Sequence, residues 1–206
     1  MKVVIFGTED IASLARFYLE NDSKFTPVAF CIDGKYIKEN SVEGLPVIPF
    51  EEIEKSHTSN DFFFFAPLYD NKLRANKTKE IKEKGYSLIT YVSSKATIWT
   101  KNIGENCFIM ENNVIQPYVS IGNNVIFWSG NHIGHHGTIG NNIFFSSHVV
   151  LSGNCIVEDF TWFGVNCTIR DQLTIAKGCV IGMGSIVTKN TIENKTYIGN
   201  PAKCIE

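Results

Sequence analysis

The chain is sparing with the residues that make metal and redox centres easy to spot. It has six cysteines in 206 residues, at positions 31, 107, 155, 167, 179 and 204, and no two form a C-x-x-C pair. That spacing argues against a zinc ribbon or a thioredoxin-like site and predicts reduced thiols in a reducing compartment. Histidine is scarcer still, with five. Neither sign of charge dominates: 19 Lys and Arg face 21 Asp and Glu, a net charge of −2, which argues against electrostatic binding to nucleic acid. No stretch approaches the ~20 apolar residues of a membrane span. The opening MKVVIFGTED carries an apolar run too short for a signal peptide, so the cytoplasm is the expected location. What remains is ordinary globular composition, 44% hydrophobic and 19% charged, in a chain long enough for one large domain or two small ones.

Two segments follow different rules. In residues 1–95, strand-like and helix-like stretches alternate. Lys2–Phe6 reads as a strand ending at Gly7. Ile11, Leu14, Ala15, Tyr18 and Leu19 then mark one face of a helix, with Asp10 as its candidate cap. Phe25–Asp33 and Leu45–Pro49 read as further strands, and Phe50–Lys55 as a helical turn. DFFFFAPL (61–68) is apolar on both sides and predicts a strand in the middle of a parallel sheet. Asn71–Lys84 predicts a charged helix with Leu73, Lys77 and Ile81 on one face, and Ser87–Val92 a last strand. The alternation predicts a small parallel α/β, Rossmann-like domain.

Residues 96–206 obey a period of six. From 103 to 187, every sixth residue reads I, I, I, I, F, I, I, F, L, V, F, I, I, I, V without interruption. Gly104, Gly122, Gly134, Gly140, Gly164 and Gly182 directly follow such residues. Cys107, Cys155, Cys167 and Cys179 all fall four places after one, which predicts small packing residues facing inward. Six residues allow a short strand and a turn. Three units make an eighteen-residue triangular coil, and residues 103–192 provide five coils, stacked as a parallel β-helix with the large apolar residues inside.

This pattern resembles the left-handed β-helix of the hexapeptide-repeat acyltransferases. The closing YIGNPAKCIE and the order of the two segments are similar to the sialic-acid O-acetyltransferase and bacillosamine N-acetyltransferase group. The resemblance implies left-handed coils, acetyl-CoA as co-substrate, a sugar acceptor that is often a nucleotide-linked amino sugar, and a homotrimer with active sites between neighbouring β-helices. Outward aromatics at Phe108, Phe144 and Trp162 agree with such neighbours.

Three of the five histidines crowd into NHIGHHGTIG (131–140). A zinc site, as in the γ-class carbonic anhydrases, needs three or four converging ligands, and H-x-x-H-H does not match the spacing of that class; no metal is expected. His132 and His148 each read more readily as packing or surface residues. His135, four places before Ile139, stands where the resemblance implies a catalytic general base, in a pattern like His-Asp/Glu-Cys-x-Ile-Gly. An imidazole suits the removal of a proton from an attacking amine or hydroxyl. One coil further on is Gly153, whose N–H the resemblance implies as oxyanion donor. The family's carboxylate after the histidine is replaced by His136. Two adjacent imidazolium ions would repel, so His136 cannot copy a carboxylate's charge, and His136 and His148 remain as possible supports.

The resemblance further implies that Gly182, Met183 and Gly184 line a pantetheine channel together with Gly153, and that Gly199, Asn200, Pro201, Ala202 and Lys203 meet the adenine end. Lys189, Lys195 and Lys203 are candidates for its phosphates. Trp128 and Phe144 stand where the family lines its acceptor pocket, making that pocket more aromatic than usual. In the front domain Gly7 and Asp33 are candidates for the acceptor's nucleotide. The loop GTEDIAS (7–13) keeps only one glycine and adds Glu9 and Asp10, a poor cradle for pyrophosphate. The reading is an acetyl-CoA-dependent sugar N-acetyltransferase. O-acetylation, a non-catalytic β-helix binding module and a zinc hydratase stand as alternatives.

Overall fold

A computed structural model describes residues 1–205; Glu206, the end of the second predicted segment, lies outside the described residues. The chain divides into two compact units, Met1–Tyr91 and Val92–Glu206.

The first unit is an α/β arrangement built on a five-stranded sheet. Its elements are β1 (Lys2–Phe6), α1 (Asp10–Asn21), β2 (Thr26–Ile32), β3 (Ser41–Val42), β4 (Leu45–Pro49), β5 (Phe62–Phe65) and α2 (Asn71–Glu83), and the sheet order is β3-β4-β2-β1-β5. All neighbours are parallel except β3 and β4. The DFFFF strand therefore lies at the end of this sheet, not in its middle; beyond it Phe64 makes a single bridge to Leu88. An apolar run reports burial on both faces of a strand and carries no information on its lateral place. Residues 87–92 likewise form that one bridge and a two-residue strand, Tyr91–Val92, in place of a continuous strand.

Helix α1 buries Ile11, Ala15 and Leu19 of its expected apolar face, with Ala12 beside them, and only its cap differs, whereas α2 departs from the apolar template. Glu9, not Asp10, is the N-cap of α1, and it makes no side-chain cap bond. The buried face of α2 is Arg74, Lys77, Thr78 and Ile81, whereas Leu73 is exposed. Polar residues hold this face by satisfying their own polar ends. The Arg74 guanidinium donates to Asn71 Oδ1 (2.7 Å) and to the Leu68 and Tyr69 carbonyls. Thr78 bonds back to the Arg74 carbonyl (2.9 Å).

The second unit is a parallel β-helix with three faces. One face stacks Phe108–Ile109, Ile126–Phe127, Phe144–Phe145, Trp162–Phe163 and Val180–Ile181, and ends with Thr196–Ile198 and Lys203–Ile205. The second stacks Thr97–Ile98, Val114–Ile115, His132–Ile133, Val150–Leu151, Thr168–Ile169 and Ile186–Val187. The third stacks Ser120–Ile121, Thr138–Ile139, Ile156–Val157 and Thr174–Ile175. Successive strands on a face pair at an offset of eighteen, as in Ile126↔Phe144 and His132↔Val150. The last residue of each pair points inward: Ile109, Phe127, Phe145, Phe163 and Ile181 are all fully buried. Inside the prism Phe127, Phe145 and Phe163 stack with centroids 4.5 Å apart and planes within 12° and 7°. Cys107, Cys155, Cys167 and Cys179 are buried in the same core, and all six cysteines are free thiols.

Turns repeat as faithfully as strands. Their fourth slot is left-handed, with φ of 53–66° at Asn106, Asn112, Tyr118, Asn124, His136, Asn142, His148, Asn154, Phe160, Asn166 and Gln172, and glycine at 130, 178 and 184. Asparagine and glycine tolerate this conformation best, and histidine is also enriched there. Asparagine adds a further function: Asn106 Nδ2 donates to Asn124 Oδ1 (3.2 Å) and Asn124 Nδ2 to Asn142 Oδ1 (2.8 Å), a side-chain ladder along one edge.

Of the three outward aromatics expected, Phe108 and Phe144 are 0% and 3% exposed, and only Trp162, at 37%, is open to solvent. Residue spacing tells which side of a strand a ring leaves from, not what else covers that side. Among the described residues no helix is long and apolar enough to cross a membrane.

Candidate active site

The three turns of each coil form three edges of the prism. The edge joining the second face to the third carries Gly134, His135, His136 and Gly137 between His132–Ile133 and Thr138–Ile139. His135 and His136 are both exposed at this turn. The His135 N–H donates to Gln116 Oε1 of the preceding coil (2.8 Å), and the His136 N–H to the Pro117 carbonyl (3.2 Å). The two imidazoles meet through their Nδ1 atoms at 3.0 Å, with ring planes at 86°. Tyr118, one coil earlier in the left-handed slot, lays its ring against His136 at 4.6 Å.

Gly153 occupies the next coil directly beside His135. A Cβ there would stand 2.7 Å from His135 Cε1 and 2.8 Å from Nε2, so the imidazole rests on the glycine backbone. The need for glycine thus comes first from the histidine ring itself. Among the described residues the Gly153 N–H donates to no protein acceptor, although its carbonyl accepts from Gln172 N–H (3.0 Å). At the equivalent turn slot elsewhere, the N–H groups of Glu105, Asn123 and Asn141 are taken by side chains of the following coil. With glycine at 153 and an uncommitted N–H, this turn offers a hydrogen-bond donor beside an imidazole. Lys189 lies on the same line of turn positions as His135 and Gly153, two coils past the glycine, and is exposed.

Other expected residues sit elsewhere. His132 is half-buried on the outer side of the second face, between Val114 and Val150. His148 occupies a left-handed turn on the edge joining the first face to the second, and its ring lies over Gly130. Trp128 belongs to that edge as well and is half-buried. Phe144, on the outer side of the first face, stacks on Trp162 (5.4 Å, 3°) and is buried rather than open to an acceptor. Gly182, Met183 and Gly184 continue the His148 edge, where Met183 is 80% exposed and Gly184 has open space around its Cα. One chain therefore does not bring His135 and Met183 to the same edge. The tail 199–203 is pinned to the second face, since the Ile186 N–H donates to the Gly199 carbonyl (3.0 Å) and the Ala202 N–H to the Ile186 carbonyl (2.7 Å). Gly199, Asn200, Pro201 and Lys203 are exposed there, Ala202 half-buried, and Lys195 is exposed just before them. Among the described residues no three His, Cys, Asp or Glu side chains gather as a metal site.

In the first unit, Gly7 ends β1 with φ of 116° and its N–H donates to the Cys31 carbonyl (2.9 Å). Asp33, just after β2, accepts from Lys77 Nζ (2.7 Å), which also bonds Glu80 (2.8 Å) and sits over the rings of Phe6 and Phe50. Burial works against the Lys77 charge, but the bonds to Asp33 and Glu80 outweigh it and raise its pKa. Part of Asp33 is thus committed to a structural ion pair. A concavity of about 210 Å³ opens beside it, lined by Thr8, Glu9, Ile32, Tyr36, Lys38, Glu39, Val42 and Val47. Only the loop carrying Thr8 and Glu9 is singled out by the sequence, because Tyr36, Lys38, Glu39 and Val42 lie on short elements and a connecting segment with no periodicity to read.

Residues 100–135 match the family described as bacterial transferase hexapeptide (six repeats). A provisionally assigned acetyltransferase of Staphylococcus aureus (strain COL) is 42% identical over 45 residues, 22% of this chain and 23% of that protein, so the match spans under a quarter of the curated relative's length. Over the whole chain the fold is that of solved acetyltransferases. PerB of Caulobacter crescentus, solved with CoA and GDP-perosamine, has a TM-score of 0.89 at 22% identity, covering 100% of this chain and 98% of that one. The acetyltransferase domain of PglB from Neisseria gonorrhoeae, solved with acetyl coenzyme A, has a TM-score of 0.87 at 22% identity, covering 99% and 98%. Residues 100–135 thus carry the hexapeptide repeat, and the fold of the whole chain, a small α/β unit followed in sequence by a parallel β-helix, is that of PerB and of the PglB acetyltransferase domain.

Proposed function

We propose that the protein is an acetyl-CoA-dependent acetyltransferase acting on the amine of a nucleotide-linked amino sugar, with His135 as general base. The observation that carries this reading is His135 resting on Gly153, an imidazole beside an uncommitted backbone N–H on an exposed edge. In the reaction the sugar nitrogen attacks the thioester carbonyl and forms the new N–C bond. Nε2 of His135 takes the proton from that nitrogen, and the Gly153 N–H donates to the oxygen as it becomes negative. When the C–S bond breaks, the thiolate recovers the proton from His135 and leaves as CoA thiol.

The acyl donor runs along exposed Met183 and Gly184 toward the tail 199–203. Since those residues and His135 occupy different edges of one β-helix, two copies together complete the site, which supports a homotrimer. The nucleotide of the acceptor is assigned to the concavity between Thr8 and Val47. Support for the acceptor class comes from the likeness to PerB, which was solved with GDP-perosamine. Glu9 and Glu39 in the concavity favour contacts to base and sugar over a tight grip on phosphate.

The deciding experiment measures CoA thiol release from acetyl-CoA against a panel of nucleotide-linked amino sugars. His135→Ala is expected to lower kcat at least ~100-fold. Unchanged turnover in that variant removes His135 as the base. Acetyl-CoA binding with no turnover on any amino sugar moves the acceptor out of this class.

A further inference from the structure

His135 and His136 are coupled by the 3.0 Å contact between their Nδ1 atoms. Two ring nitrogens at that separation share one proton: one donates, the other accepts. No Asp or Glu of the described residues pairs with or bonds to either ring. The remaining groups around the pair are Tyr118, packed on His136, Gln116, which accepts from the His135 backbone, and Gly153 beneath the His135 ring.

We infer that His136 is the positioning residue for His135, a neutral imidazole whose Nδ1 lone pair accepts the His135 Nδ1–H. This rests on His135 being the base. The bond fixes the tautomer in which His135 Nε2 is bare and can take a proton. When Nε2 does so, the pair carries one positive charge, and His136 still accepts the His135 Nδ1–H. The hydrogen bond then becomes charge-assisted and strengthens as the reaction proceeds. His136 supplies the acceptor that the turn otherwise lacks. Tyr118 holds the His136 ring at the angle the bond requires.

The left-handed turn makes the test clean. His136 has a φ of 57°, in a slot that asparagine and glycine fill elsewhere in this chain. His136→Asn and His136→Gly therefore suit the backbone, and His136→Asp is also tolerated there. Asn and Asp can accept from His135; Gly cannot. His136→Gly is expected to lower kcat about 10–100-fold, the value of a hydrogen bond to a charged group, with KM for acetyl-CoA unchanged. His136→Asp is expected to recover wild-type kcat and His136→Asn most of it. Equal kcat in the Gly variant and wild type overturns the inference, and so does an equal fall in all three.

A second readout needs no turnover and separates this inference from the proposed function. Two-bond ¹H–¹⁵N correlation spectra of ¹⁵N-histidine-labelled protein are expected to show His135 protonated at Nδ1 in wild type. In His136→Gly they are expected to show the Nε2–H form gaining. An Nε2–H tautomer at His135 in wild type overturns the inference, whether or not any sugar is acetylated.

Discussion

Histidine 136 is at its turn for two reasons that act together. The backbone there requires a left-handed residue, which histidine tolerates better than most. The side chain then reaches Nδ1 of its neighbour. His148 shares the first reason without the second: its ring lies over Gly130 on another edge. The crowding of histidines in NHIGHHGTIG is thus partly turn chemistry. The slot is legible in the sequence, since it holds Asn at 106, 112, 124 and 142. What no spacing could report is the direction of the His136 ring. Gly153 is the companion case. A methyl group there collides with His135, so Gly153→Ala is expected to push the imidazole off its seat. The expected outcome is a kcat loss of about 10-fold or more with little loss of stability, checked by kinetics beside a thermal melt. A Gly153→Ala enzyme with wild-type kcat would show that the contact has no bearing on reaction.

Among the elements, the column of Phe127, Phe145 and Phe163 holds three successive coils in line. Phe145 touches a ring above and a ring below, so its removal leaves a cavity that neither neighbour can close. Phe145→Ala is expected to destabilise the protein by about 3–5 kcal/mol, measured by urea unfolding. In the α/β unit, pH exposes a different weak point. The His57 ring packs on Phe62 (4.5 Å), and burial, helped by the Lys2 ammonium, pushes its pKa down. A folded state that binds the proton less readily than the unfolded chain loses stability as pH falls. The contribution is complete above about pH 6.5 and fades as pH drops through the lowered value. His57→Gln is expected to flatten the fall in melting temperature between pH 7 and pH 5; parallel curves for variant and wild type would remove His57 from the explanation. Strand and helix types in this unit followed from periodicity, but lateral order did not. The Phe-rich β5 sits at the end of the sheet because burial on two faces is compatible with any position that helices cover.

At the scale of the molecule, the eighteen-residue coil was legible because nothing interrupts it between 103 and 187. Both ends depart from it. Thr97–Ile98 pairs with Val114–Ile115 at an offset of seventeen, and Val180–Ile181 with Thr196–Tyr197 at sixteen, so a strict period of six passes over both. Cysteine reactivity follows the same inside–outside division. Burial pushes the Cys167 thiol up to about 12, raises Cys31 and Cys155 too, and leaves Cys204 as the exposed thiol. Iodoacetamide at pH 8 is expected to add once to the native protein, at Cys204, and six times after denaturation, as read by mass spectrometry. Two or more rapid native adducts would contradict the packed core.

A stack of parallel coils is by construction a template that another coil can extend, and its open ends are its hazard. Here the last strand of the first face, Lys203–Ile205, turns back and pairs antiparallel with Thr196–Ile198. A coil from a second molecule arriving on that face meets a strand of the wrong direction with a lysine on it. The antiparallel return of Lys203–Ile205 thus puts a reversed, lysine-bearing strand over the last parallel coil of that face, a device of the kind that disfavours edge-to-edge pairing.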